Sequence, residues 1–141
     1  MKKYVAYGIG AALVDTEIKV NDTELGQMNV EKGLMTLVDE ARQKELLGQL
    51  TGHLVTAKHA SGGSAGNSMI ATAHFGGPTF MSCKVANDSD GAIYVEDLEA
   101  AGVAHNLSNG RAEGTTGKCL VMITPDAERS MNTFLGISET L

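Results

Sequence analysis

The stretch SGGSAGNSMIATAHFGGP, residues 61–78, decides the fold. Its paired glycines follow a short segment, residues 54–58, that we predict to be a strand. A helical pattern then runs from about residue 65 to residue 75. The Gly-Gly-Pro at 76–78 ends that helix, because glycine adopts the left-handed cap and proline cannot continue a helix. The stretch therefore predicts a strand, a glycine turn and a helix in immediate succession.

Strands and helices alternate on both sides of that stretch. Strands are predicted at residues 4–9 and 79–85, one helix begins after Asp39 and runs to about Leu50, and another covers residues 90–101. This order predicts an α/β fold with a parallel sheet. Segments in which polar and apolar residues alternate do not suit such a sheet, so they predict a small separate sheet with one solvated face.

The composition excludes several classes of protein. Of 141 residues, 43% are hydrophobic and 20% are charged, and the net charge is −6 with no run of like charge. A nucleic-acid-binding surface is not expected, since it needs clustered Lys and Arg. No apolar stretch approaches the ~20 residues that span a bilayer, and the run at residues 4–14 is better explained as a buried strand than as a signal peptide. We expect a cytoplasmic protein with no membrane partner, in which Cys83 and Cys119 are free thiols.

The glycine turn is the first candidate site. Gly62 and Gly63 allow a ligand to approach the backbone without a Cβ in the way, and the helix that follows offers unpaired N–H groups. Asn67 adds one hydrogen-bond donor and one acceptor near the same place. This chemistry suits sugar hydroxyls or a phosphate. A plain strand–turn–helix connection with no ligand explains the pattern as well.

Polar residues elsewhere are further candidates. Asp15 follows the first strand, at the end of an α/β sheet where ligands bind, and its carboxylate can accept hydrogen bonds from vicinal hydroxyls. A turn-capping role is the alternative for Asp15. Arg129 and Asn132 lie in a predicted hairpin, residues 114–136, and either could face a ligand or simply form its solvated face. The four histidines show no metal-ligand spacing, and no metal site is expected.

Five blocks, taken in order along the chain, resemble the N-terminal region of the PfkB (ribokinase-like) sugar and nucleoside kinases, and the adenosine-kinase-like branch most closely. They are YGIGAALVDTEIKV (7–20), EKGLMTLVDEARQKELL (31–47), ASGGSAGNSMIATAHFGG (60–77), SCKVANDSDG (82–91) and EGTTGKCLVMITPDAERSMNTFLGIS (113–138). The GGSAGN block with the following FGG is the most specific of them.

The resemblance implies the N-terminal part of a ribokinase-like (Rossmann-like) three-layer α/β domain with a small β-sheet lid. The lid strands would be residues 16–20, 34–37, 118–124 and 129–135. Such kinases transfer the γ-phosphoryl group of ATP, with Mg²⁺, to a hydroxyl of a sugar or nucleoside. The residues matching the family's sugar-binding positions are Asp15, Gly62, Gly63 and Asn67.

The sequence departs from the family pattern at several residues and lacks one of the family's loops. Three residues differ from those common at their positions in this branch: Ala11, Met69 and Ala86. These differences affect which substrate is expected more than they affect the resemblance to the family. The sequence contains no DTxGAGD-type loop, which in the family supplies the catalytic base and the anion hole. We therefore expect the chain alone, residues 1–141, to need no cofactor and to be inactive as a kinase. A non-catalytic nucleoside- or sugar-binding module, or a fragment that oligomerises through the lid or an exposed sheet edge, remains the alternative.

Overall fold

The chain divides into two units in the computed structural model, which describes residues 3–107 and 111–141. The first unit comprises Met1–Val14, Ala60–Gly117 and Leu135–Leu141, and the second comprises Asp15–His59 and Lys118–Phe134. No helix in the described part of the chain is both long and apolar enough to cross a membrane.

The secondary structure alternates between strands and helices. In chain order the elements are β1 (Ala6–Ile9), β2 (Leu13–Lys19), α1 (Asp22–Gln27), β3 (Met35–Leu37), α2 (Glu40–Gln49), α3 (Thr51–Leu54), β4 (Lys58–Gly62), α4 (Ser64–His74), β5 (Thr79–Ser82), α5 (Ser89–Ala100), β6 (Ala104–His105), β7 (Gly117–Ile123), β8 (Arg129–Phe134) and a final 3-10 helix (Gly136–Thr140).

The first unit is built on a parallel sheet with the strand order β1-β5-β6. Helix α4 lies close to β1 because β1 contains Gly8, where a Cβ would come within 2.7 Å of the Met69 side chain. The core of this unit is apolar and contains buried side chains from α4, α5 and the sheet. They are Ala12, Val14, Met69, Met81, Cys83, Val85, Tyr94, Leu98, Val103 and Leu107.

A partly buried carboxylate network joins two loops of the first unit. Asp88 caps α5 by accepting from the Gly91 N–H at 2.8 Å, and it also accepts from the hydroxyl and the N–H of Thr116 at 2.6 and 2.9 Å. The Thr116 hydroxyl in turn accepts from the Ala86 N–H at 2.9 Å. The segment before α5 is thereby fixed to the segment before β7.

Tyr94 on α5 has a fully buried side chain whose hydroxyl has no hydrogen-bond partner within the described residues. Its oxygen occupies the space beside Gly66, where a Cβ would lie 2.4 Å away. Burial raises the pKa of the Tyr94 hydroxyl well above its ordinary value. Gly66 is therefore required for the packing of α4 against α5.

We predict that Tyr94→Phe stabilises the protein by about 1 kcal/mol, because a buried hydroxyl without a partner costs free energy that phenylalanine avoids. The free energy of unfolding in urea measures this. Tyr7→Phe is the matched control, since Tyr7 is exposed and its hydroxyl is solvated. A clear loss of stability in Tyr94→Phe, with Tyr7→Phe unchanged, would show that the hydroxyl makes a stabilising bond.

The second unit contains a mixed sheet with the strand order β3-β8-β7-β2-β4. Strands β7 and β8 form an antiparallel hairpin, and β3 pairs with β8 in parallel. The four strands predicted at 16–20, 34–37, 118–124 and 129–135 are present as β2, β3, β7 and β8. Helical residues cover one face through an apolar cluster of Ile18, Val20, Leu25, Met28, Val30, Leu46, Leu50, Leu120 and Met122.

One local prediction was wrong, and one helix was not predicted. Residues 54–57, within the segment predicted as a strand at 54–58, are not in a strand, and β4 lies instead at Lys58–Gly62. Helix α1 was not predicted, although its signal is present. Asn21 and Glu24 form a capping box, in which each side chain accepts from the other residue's N–H at 2.8 Å.

Candidate functional site

The glycine turn between β4 and α4 is the best-defined candidate site of the first unit. Gly63 has φ +88°, and a Cβ there would lie 2.6 Å from the carbonyl oxygen of Ala11. Left-handed backbone and close approach to another backbone both require glycine. Gly62 is buried at the end of β4. The turn thus brings the first turn of α4 directly beside the β1–β2 connection.

The N-terminus of α4 has no side-chain cap. Gly63 is its N-cap residue, and the Gly63 carbonyl accepts the intrahelical bond from the Asn67 N–H at 3.0 Å. The preceding N–H groups of the first turn are orphan donors at the positive end of the helix dipole. The Asn67 side chain is exposed, and no hydrogen bond to another described residue occupies its amide. This arrangement suits a hydroxyl-rich or anionic ligand.

Asp97 on α5 holds the strand that leads into the turn. Its carboxylate accepts from the Ser61 N–H at 2.7 Å. Because Ser61 directly precedes the two glycines, this bond limits how far the turn can move relative to α5. Sequence reasoning missed Asp97, and no local signal marks it, since the two residues are 36 positions apart.

In the second unit, Asp15 and Glu17 lie on one face of β2. Thr16 and Ile18 alternate with them and are buried on the opposite face, which the helices cover. The boundary between the two units falls between Val14 and Asp15, so Asp15 is the first residue of the second unit. The strand thus presents two carboxylates on the face away from the helices.

The environment of Asp15 is unfavourable to its charge. Partial burial, and then the neighbouring charge of Glu17, raise the pKa of the Asp15 carboxyl above its ordinary value. The Cys119 thiol on β7 accepts a hydrogen bond from the Thr133 hydroxyl at 3.3 Å. Burial is the main reason that the pKa of this thiol is raised, and the Asp15 charge adds to it. A carboxylate in such surroundings gains more than an exposed one from hydroxyl donors.

Arg129 and Asn132 do not lie on the same face of the sheet. On β8, Arg129 is opposite Ile123 and exposed, whereas Asn132 is opposite Leu120 and buried. Leu120 belongs to the apolar cluster under the helices, so Asn132 faces the helical side and Arg129 faces away from it. Asn132 lines a cavity of 490 Å³ together with Arg42. The two candidates therefore lie on opposite faces of the sheet, and whether either contacts a ligand stays a prediction.

No group of three or more His, Cys, Asp or Glu side chains in the described ranges, 3–107 and 111–141, could hold a metal ion.

The chain thus combines an α/β unit that has a glycine-lined helix start with a small mixed sheet that has a polar face. Residues 28–141 match the family described as pfkB family carbohydrate kinase. The chain belongs to that family, and the resemblance predicted from the five sequence blocks is confirmed.

Solved structures share this fold. A probable sugar kinase from Rhizobium etli has 34% identity and a TM-score of 0.88 over 100% of this chain and 42% of its own. Adenosine kinase from Sinorhizobium meliloti has 34% identity and a TM-score of 0.85 over 99% of this chain and 42% of its own. Adenosine kinase from Schistosoma mansoni, solved with adenosine in an occluded loop conformation, is 20% identical with a TM-score of 0.85, which shows the fold alone.

This chain therefore spans about 42% of the length of the first of those structures. A search of curated protein sequences gave no match. The predicted fold class, the N-terminal part of a ribokinase-like α/β domain, is confirmed by the structural similarity.

Proposed function

We propose that this chain supplies the substrate-binding part of a cytoplasmic, ATP-dependent kinase that phosphorylates a hydroxyl of adenosine, a related nucleoside or a sugar. The observation that carries the proposal is the glycine turn, where Gly63 packs against the Ala11 carbonyl at the start of an uncapped helix. Membership of the pfkB family supports the reaction class. The second unit is the small sheet that serves as the lid.

The residues proposed to bind substrate act through hydrogen bonds. The Asp15 carboxylate accepts from vicinal hydroxyls, which offsets the cost of its partial burial. The backbone at Gly62 and Gly63 approaches the sugar closely, and the Asn67 amide both donates and accepts. Arg129, on the face of the sheet that Asp15 also faces, is the remaining candidate on that side. Asn132 stays a prediction, and its burial on the helical side counts against direct contact.

ATP and Mg²⁺ are the cosubstrate and metal expected for full-length members of the family. They supply the phosphoryl group and neutralise its charge during transfer. This sequence contains no DTxGAGD-type loop, which in the family carries the base. We therefore propose that this chain binds its substrate without transferring phosphate.

Calorimetry with adenosine and with ribose tests the proposal. We expect binding of at least one of them, and a loss of affinity of about tenfold or more with 2′,3′-dideoxyadenosine, because each lost hydroxyl removes a charge-assisted bond. Equal affinity for the dideoxy analogue would contradict hydroxyl recognition. If no ligand produces either a heat of binding or a thermal shift, the proposed binding is contradicted. If incubation with ATP yields a phosphorylated product, the proposed inactivity is contradicted.

A further inference from the structure

Ser138, in the final 3-10 helix, makes an unusual pair of bonds to one residue. Its hydroxyl accepts from the Ala12 N–H at 3.1 Å and donates to the Ala12 carbonyl at 3.2 Å. Ala12 is fully buried and Ser138 nearly so. A single hydroxyl can do both, since it has one donor and two acceptor positions. Both backbone groups of a buried residue are satisfied by one side chain 126 positions away.

The peptide bond between Ala11 and Ala12 transmits this restraint. A trans peptide unit is planar, and its C=O and N–H point in opposite directions. The N–H of Ala12 is bound to Ser138, so the carbonyl of Ala11 is directed away from Ser138. That carbonyl is the group against which Gly63 packs. The orientation of one peptide plane therefore links Ser138 to the glycine turn.

The 3-10 helix is itself firmly held within the first unit. The Ile137 N–H donates to the Thr115 carbonyl at 2.9 Å. Gly136 has φ +55°, and a Cβ there would lie 2.3 Å from the same carbonyl. Lys84 donates to the carbonyl and the hydroxyl of Thr140 at 2.5 and 3.0 Å. Ser138 is thus presented to Ala12 by a segment anchored on both sides.

We propose that Ser138 is a positioning residue for the glycine turn: it fixes the Ala11–Ala12 peptide plane and so sets the wall against which Gly63 and the first turn of α4 rest. The effect on ligand affinity rests on the proposed function, whereas the effect on the turn does not. Neither the family resemblance nor the glycine-turn pattern singles this residue out.

Amide exchange and chemical shifts measured by NMR on this chain test the proposal, with Ser138→Ala as the main variant. We expect exchange at the Ala12 amide to accelerate about tenfold or more, because its acceptor is lost. We also expect shift changes at the amides from Gly63 to Asn67. Adenosine affinity should fall while the exchange of amides in the second unit stays unchanged.

Three further variants keep the test decisive. Ser138→Thr retains the hydroxyl and should restore the wild-type signals, and Ser138→Cys, a weaker hydrogen-bonding group, should give intermediate shifts even if Ser138→Ala does not fold. Ser130→Ala is the control: it removes a buried serine hydroxyl that also accepts from a backbone N–H, that of Gly33, but lies in the second unit and does not contact Ala12. Unchanged signals from Gly63 to Asn67 in both the alanine and cysteine variants of Ser138, or equal changes in Ser130→Ala, would overturn the proposal. If wild-type protein binds neither adenosine nor ribose, the proposed function fails, and the amide signals still decide the role of Ser138.

Discussion

Replacing Asp15 with alanine is expected to weaken nucleoside or sugar binding by about 100-fold, because two hydrogen bonds to a charged acceptor contribute roughly 3 kcal/mol together. Calorimetric affinities of the wild type and the variant measure the effect. Glu17→Ala is the matched control, since it removes the same charge from the same face of β2 two residues away. We expect that control to change affinity by no more than about threefold, as a partly exposed charge contributes little. Equal losses in the two variants would mean that general charge, not Asp15, governs binding.

The same carboxylate should reduce the stability of the unliganded protein. The pKa of Asp15 is raised in the folded state, so the folded state binds its proton more tightly than the unfolded state does. Stability therefore falls as the pH rises from the ordinary value of an aspartate through the raised value, and the cost persists at neutral pH. Asp15→Asn lacks this cost, and its melting temperature should exceed that of the wild type by a margin that grows from acid to neutral pH. A margin that shrinks over that range would contradict the account.

Replacing Gly63 with valine is expected to cost at least about 3 kcal/mol of folding free energy and to abolish ligand binding. A left-handed φ costs a residue with a Cβ about 1–2 kcal/mol, and the contact with the Ala11 carbonyl, 2.6 Å from the ideal Cβ position, forces the backbone to move. Urea unfolding and calorimetry together measure the two losses.

Gly48→Ala is the control for that substitution. Gly48 is exposed in α2, and a Cβ there meets no atom within 4 Å. Alanine is a better helix former than glycine, so this variant should gain about 0.5–1 kcal/mol. A Gly63→Val variant as stable as the wild type would show that the turn is not constrained as described.

Local signals in the sequence were enough to predict the glycine turn and the helices around it. Gly62, Gly63 and the Gly-Gly-Pro at 76–78 act on the backbone of their own segment, and Asp39 caps α2 by accepting from the Arg42 N–H three residues later. Such effects depend on few neighbours, and so they can be inferred without the rest of the chain.

Long-range contacts explain what sequence reasoning missed. Strand β4 lies at Lys58–Gly62 rather than at 54–58 because its place in the sheet, next to β2, overrides the local apolar pattern. The bonds from Asp97 to Ser61 and from Ser138 to Ala12 join distant segments, and nothing in the neighbouring residues signals them. Arg129 and Asn132 lie on opposite faces of the sheet because side chains alternate between the two faces along a strand. Their spacing in the sequence implies this, but a prediction of a hairpin alone does not make use of it.

An amide NMR titration of this chain with adenosine and with ribose tests the central claim most directly: that the glycine turn and Asp15 recognise hydroxyl groups. We predict that the largest shift changes fall on Asp15, Gly62, Gly63 and Asn67, and that they disappear with the dideoxy nucleoside. Shift changes confined to other surfaces, such as the 330 Å³ cavity lined by Glu24 and His53, would contradict it.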